Sequence, residues 1–252
     1  MSVTPVANGN VTVEVDGRIV TVTFNRPEKR NAITQEMYRT MADTLEAADA
    51  DLDVAAVVFT GNGEAFTAGN DLQDFASGGS LEQVSRFLQA LITVQVPLIA
   101  AVNGMAIGVG LTMLLHCDLV YVEPSAVLSA PFVALGLVPE AASSLILPRV
   151  VGERRAAEIL LAGRKISGNE AAEWGLANAV ASPVLKVAGE TARSLAEQPP
   201  QAVRTTKALL RSDELTIAGR MAEEMTRFVE ALGGAEFAEV MAARSEKRPP
   251  VF

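Results

Sequence analysis

From Phe87 to Cys117, between Arg86 and Asp118, the chain carries no charged residue. Within this run, Leu98 to Leu115 is apolar apart from Asn103, Thr112 and glycines. A membrane-spanning helix needs about 20 apolar residues, so length alone permits one. The pattern opposes it. Pro97 opens a short β-rich run, Leu98–Val102, Asn103-Gly104 is a turn signal, and Gly108 and Gly110 interrupt the next segment. The stretch therefore predicts a buried strand, a turn and a buried helix. Such a unit needs a large interior around it. A chain of 252 residues, 49% of them hydrophobic, can supply one core of that size.

Charge and cysteine usage narrow the function classes. The formal charge is −9, from 21 basic and 30 acidic residues, so the average surface repels a polyanion and no nucleic-acid partner is expected. One cysteine forms no internal disulfide, and one histidine with it builds no zinc site, so a reducing, cytoplasmic setting without a metal is expected. Met1–Asn10 has neither the basic region nor the apolar run of a signal peptide. No membrane partner is expected.

Strands and helices alternate through the first two thirds. Val11–Val15 and Arg18–Phe24 alternate apolar and polar residues around Asp16-Gly17, which predicts a hairpin. Thr34–Ala50 places Met37, Met41, Leu45 and Ala48 at helical spacing, and Ala55–Thr60 is a short apolar strand. Helices follow over Asp71–Phe75 and Leu81–Ile92, separated by Gly78-Gly79-Ser80. Leu119–Val122 and Ala126–Leu128 are further strands, and Glu140–Leu147 and Glu153–Leu161 are helices broken at Pro148 and Gly152. From about Pro183 only helices remain: Leu185–Gln198, Gln201–Arg211, Glu214–Ala231 and Glu236–Arg244. The chain thus divides into an α/β core, 1–182, and a helical region of the same domain, 183–252. Arg204, Lys207 and Arg211, at i, i+3 and i+7, predict a solvated helix face.

Three glycine-containing turns could carry chemistry. Phe66-Thr67-Ala68-Gly69-Asn70-Asp71-Leu72 leads from a strand into a helix, where backbone N–H groups stay uncovered. It also fits an ordinary turn in which Asp71 caps the helix. Gly104-Met105-Ala106-Ile107-Gly108-Val109-Gly110 opens another helix, and its spacing is not the G-x-G-x-x-G of a dinucleotide site. Close packing explains its glycines as readily as function does. Two such amides converging on one oxygen would make an oxyanion hole. The third turn, Leu135-Gly136-Leu137-Val138-Pro139-Glu140, holds the only acidic residue between Glu123 and Glu153. A carboxylate among apolar neighbours has a raised pKa, as a general base near neutrality requires, yet a glutamate after a proline also suits a helix start.

Together these motifs, with Pro97–Gly104, Gly108-Val109-Gly110, Cys117-Asp118 and Ala172-Glu173-Trp174-Gly175-Leu176, closely resemble the enoyl-CoA hydratase/isomerase (crotonase) family. The resemblance runs in order from about Val11 to the C-terminus. It implies an α/β fold, a crotonase-like ββα-superhelix core with a C-terminal helical trimerisation region, acting on acyl-CoA thioesters as a homotrimer or a dimer of trimers. CoA then enters as part of the substrate, and no separate cofactor is needed. The resemblance implies an oxyanion hole made by the backbone amides of Asn70 and Val109. It places Arg26, Arg30 and Ala32 beside the CoA nucleotide or pantetheine, with Ala68 along that groove and Lys247 loosely at the family's C-terminal basic position. Gly69, Asp71, Leu72 and Gly108, with Pro131, Leu135 and Pro139, complete the substrate-contacting set.

Two departures shape the reaction this implies. Hydratases of the family use two glutamates, but Thr112 and Phe132 stand at those positions here. Neither is a base at neutral pH. Glu140 falls where the Δ3,Δ2-enoyl-CoA isomerase branch carries its single catalytic glutamate. The resemblance therefore implies an isomerase that moves a 3-enoyl double bond to the 2-trans position, with Glu140 as proton shuttle. The alternatives are another thioester-enolate reaction, as in a hydratase or lyase, and a non-catalytic acyl-CoA-binding subunit. The remaining singular residues are expected to be structural: His116 and Cys117 a satisfied core pair, Trp174 a packing residue. Phe75, Phe87 and Leu88 fit either core packing or an acyl tunnel.

Overall fold

The computed structural model describes residues 3–76, 81–211 and 214–251. The predicted break Gly78-Gly79-Ser80 and the side chain of Phe75 lie outside the described residues. The strands are β1 (Val11–Asp16), β2 (Ile19–Phe24), β3 (Ala56–Gly61), β4 (Ala65–Thr67), β5 (Leu98–Val102), β6 (Met105–Ile107), β7 (Leu119–Val122), β8 (Val127–Ser129), β9 (Ile166–Ser167) and β10 (Ala179–Val180). Between them run α1 (Gln35–Ala50), α2 (Leu72–Ala76), α3 (Glu82–Thr93), α4 (Val109–Thr112), α5 (Ser143–Val151), α6 (Glu153–Leu160) and α7 (Gly168–Glu173). The chain ends in α8 (Val184–Ala196), α9 (Pro200–Leu210), α10 (Glu214–Leu232) and α11 (Ala235–Glu246).

The strands form two sheets. The larger has the order β1-β2-β3-β5-β7-β10, antiparallel only at the β1–β2 hairpin. Every residue of β5 is buried, as an apolar run in a central parallel strand must be. Alternation still sorts the side chains of β3. Val57 and Phe59 face the main core under α1 and α3, while Ala56 and Val58 face α8. That helix lays Val184, Ala188 and Ala192 on the sheet at i, i+4 and i+8, as an amphipathic stripe should. Thr34 caps α1, whose predicted stripe of Met37, Met41, Leu45 and Ala48 is fully buried.

The smaller sheet, β4-β6-β8-β9, is only partly legible in the sequence. Its strands are two or three residues long, too short to show a period. The uncharged stretch runs through both sheets as β5, a turn and β6. It ends in the four-residue α4 and a 3-10 turn, Met113–His116, rather than one continuous helix. Among the described residues no helix is long and apolar enough to cross a membrane.

Two predicted features are corrected. The helix expected from Glu140 begins at Ser143, because Ala141 and Ala142 take left-handed conformations (φ 57° and 54°) that no α-helix admits. It continues through Pro148 to Val151 and stops at Gly152. The basic stripe of α9 is not solvated: Arg204 is 9% exposed and Lys207 5%. Arg204 donates to the carbonyls of Asp49, Asp51 and Val54. Lys207 reaches the Val96 carbonyl and the Asp118 carboxylate, each at 2.7 Å, and Arg211 pairs with Asp118 at 3.1 Å. A helix laid against strand ends presents its cations to carbonyls rather than to water, which spacing alone does not reveal.

Candidate active site

The first turn is tied to residues 30–33 by backbone bonds, the first of them from the Ala68 amide to the Arg30 carbonyl at 2.9 Å. Ile33 donates to the Gly69 carbonyl at 2.8 Å and accepts from the Asp71 amide at 2.9 Å. In a parallel pairing the residue between those two bonds turns its own N–H to the opposite side. The Asn70 amide accordingly finds no acceptor among the described residues. Its side chain is pinned instead, since the Tyr38 hydroxyl donates to Asn70 Oδ1.

The second turn comes to meet it. Gly69 has φ +87°, and a Cβ there would lie 2.7 Å from the Ile107 carbonyl oxygen. A Cβ on Gly110 would lie 2.6 Å from Thr67 Cγ2. Glycine at both positions lets the two turns pack backbone against backbone. Gly108 donates to the Ser129 carbonyl and starts α4, so Val109, the first helical residue, has no partner for its N–H within the helix. Both turns open on one cavity of about 400 Å³. Ala68, Gly69, Asn70, Leu72, Gly108 and Val109 line it from the two turns, and Arg244 and Arg248 line it from the C-terminal region. Pro131, Phe132, Leu135 and Leu137 form one apolar wall; Phe228 and Leu232 of α10 with Phe237 and Val240 of α11 form the other.

Glu140, 4% exposed, is not itself among the residues that line the cavity. The Thr112 hydroxyl donates to its Oε1, and nothing among the described residues donates to Oε2. Burial is the largest influence on the carboxyl and raises it to about 7; the Thr112 bond opposes this and the Glu224 carboxylate adds to it. The backbone around it is fixed point by point. Ser143 Oγ donates to the Glu140 carbonyl at 2.6 Å, and His116 Nε2 donates to the Ala141 carbonyl at 2.7 Å. His116 is neutral because burial depresses it to about 4. Two consecutive left-handed alanines are sterically costly, so these bonds hold a strained turn in place.

A family model described as enoyl-CoA hydratase/isomerase matches residues 14–252. The chain belongs to this family. Among solved structures, an enoyl-CoA hydratase/isomerase from Pseudoalteromonas atlantica T6c superposes with a TM-score of 0.94 at 43% identity, covering 97% of this chain and 100% of that one. Rat enoyl-CoA delta isomerase 2 is 38% identical over 81% of this chain, which spans only 55% of that protein. An Arthrobacter 4-chlorobenzoyl coenzyme A dehalogenase is 33% identical over 92% of this chain and 89% of its own length. The crotonase fold expected from the motifs is therefore the fold present. The relatives' reactions differ, so membership alone does not choose among them.

Within this crotonase fold, several predicted site residues lie away from the cavity wall. Arg26 is turned inward, donating to Asp71 at 2.6 Å and to the Ala32 carbonyl at 3.1 Å. Arg30 is exposed and left-handed (φ 50°), and Pro139 is set back from the wall beside Glu140. Asp71 supplies no second base: its Arg26 partner holds the carboxyl below the usual range, and Oδ1 caps Gln73. Cys117 is pushed by burial up to about 12, so His116 and Cys117 are structural, as expected. Trp174 packs against the guanidiniums of Arg155 and Arg164, 4.7 and 4.9 Å from its ring centre. Phe87 and Leu88 are fully buried core residues rather than tunnel lining.

Two contributors escape a reading of the sequence, and a third shows there only as a missing glutamate. Tyr38 reads as one more apolar-face residue of α1, and its phenol reaches Asn70 across 32 positions. Glu224 reads as a charge on an amphipathic helix. Phe132 stands out only for not being a glutamate; it lines the cavity.

Proposed function

We propose that this protein is an enoyl-CoA isomerase that shifts a 3-enoyl-CoA double bond to the 2-trans position. The observation that carries the reading is Glu140: a buried carboxylate, poised near neutrality, with Thr112 and Phe132 where a hydratase would place its pair. The amides of Asn70 and Val109 receive the thioester oxygen. As Glu140 Oε2 removes a proton from C2, electrons move onto that oxygen and form a dienolate. The same carboxyl then returns the proton to C4 as the carbonyl re-forms. One base suffices because no water is added. A donor of this kind contributes about 3 kcal/mol to such a transition state. No metal or redox cofactor takes part in this scheme, and CoA enters with the substrate.

The apolar wall from α10 and α11 suits an acyl chain and keeps water from the dienolate. A substrate panel tests the proposal. Isomerisation of 3-enoyl-CoA without hydration of 2-enoyl-CoA is the expected result. Hydration outpacing isomerisation, thioester dehalogenation, or tight binding without turnover would each overturn it. We also propose that the chain assembles as a trimer or dimer of trimers through its C-terminal helices, and sedimentation showing only monomer at micromolar concentration would refute that.

A further inference from the structure

The turn that carries Glu140 lacks a cap of its own. The residue before α5, Ala142, has no side-chain oxygen to receive the helix's first amides. The acceptor comes from 80 positions downstream. Glu224 of α10 is 5% exposed, and its Oε1 accepts the Ser144 amide at 2.9 Å. Its other oxygen, Oε2, is sealed from solvent with no partner. Capping needs one acceptor, which an amide or hydroxyl would provide. A carboxylate adds a second buried oxygen with nothing to satisfy it, an unfavourable choice for a cap alone.

The surroundings suggest what the charge does. Phe228, one turn further along the same face of α10, lines the cavity, and the Ser144 amide that Glu224 accepts lies four residues beyond Glu140. Glu140 is approached by Thr112 from α4, Tyr38 from α1 and Glu224 from α10, and among these only Glu224 brings a negative charge. Glu224 accepts the Ser144 amide at the start of α5 and lies in the field of Arg220 on its own helix. Burial raises both carboxyls, and these donors favour the ionised form of Glu224.

We propose that Glu224 is a positioning residue for Glu140, fixing the 140–144 turn through Ser144 and adding a second negative charge to the surroundings of the base. The C-terminal helical region then acts on the chemistry as well as on the cavity wall. The proposal rests on Glu140 being the base.

The test uses the full chain, with 3-enoyl-CoA as substrate and the pH dependence of kcat/KM as the main readout. Glu224→Gln keeps an acceptor for Ser144 and removes the charge. Its acidic limb should move to lower pH by about 0.5 unit or more. Glu224→Ala loses the cap as well, and kcat should fall about 10-fold while acyl-CoA affinity is retained. Rescue of kcat by Gln, with the limb still displaced, separates positioning from charge. A limb that stays in place in Glu224→Gln overturns the proposal, even if the alanine variant fails to fold. Glu140→Gln keeps the two ideas apart. Retained turnover there sinks the base assignment, whereas lost turnover there with an unmoved limb in Glu224→Gln sinks only the role of Glu224.

Discussion

Glu140→Gln should make the protein more stable and almost inactive. In the folded chain the Glu140 carboxyl ionises near 7 rather than the ordinary 4.5. At 1.36 kcal/mol per pH unit, this costs about 3 kcal/mol of stability once both folded and unfolded states are ionised. The cost is absent below about pH 4.5, grows as pH rises, and is complete above about 7. Glutamine has nearly the same volume, can accept the Thr112 hydroxyl, and never ionises. Urea unfolding should therefore show the variant more stable by up to about 3 kcal/mol at pH 8, with little difference at about pH 4.5. Turnover should fall at least ~100-fold, as for loss of a general base, and exchange of the C2 proton with solvent should fall in parallel. Acyl-CoA affinity should survive, because the Asn70 and Val109 donors belong to the backbone. A destabilised variant at pH 8 would contradict the assigned burial cost, and wild-type turnover with normal ligand binding would refute Glu140 as the base.

Other perturbations probe separate parts of the site and fold. Thr112→Val removes the one hydroxyl that favours the ionised base, so the acidic limb of kcat/KM should move to higher pH; a shift the other way would contradict the Thr112–Glu140 bond. Gly69→Ala forces a methyl group toward the Ile107 carbonyl at φ +87° and should spread the two amides. We expect kcat to drop at least ~100-fold with a folded circular-dichroism spectrum, and an active variant would show that the amides need not converge. Arg204→Ala strands three backbone carbonyls and should cost about 3 kcal/mol in chemical denaturation, whereas Arg227→Ala on the exposed face of α10 should change stability by less than about 0.5 kcal/mol. Equal effects of the two would restore the solvated reading of α9.

The residues alone made legible whatever depends on neighbours a few positions apart. The β1–β2 alternation, the unbroken apolar run of β5 and the Met37–Ala48 stripe each report a local period that burial then satisfies. The glycines at 69 and 110 declared close approach, Gly108 a left-handed turn, and the lone acidic residue at 140 declared itself against its apolar surroundings. The contacts that tertiary structure decided lie across long separations. Thr112 meets Glu140 over 28 positions, Ser144 meets Glu224 over 80, and Lys207 meets the Val96 carbonyl over 111. No period encodes such pairs. A buried carbonyl or carboxylate must find a partner wherever the chain brings one, so only packing determined that a basic stripe would face strand ends. For the same reason, an ordinary helix glutamate, Glu224, came to accept the Ser144 amide four residues beyond Glu140.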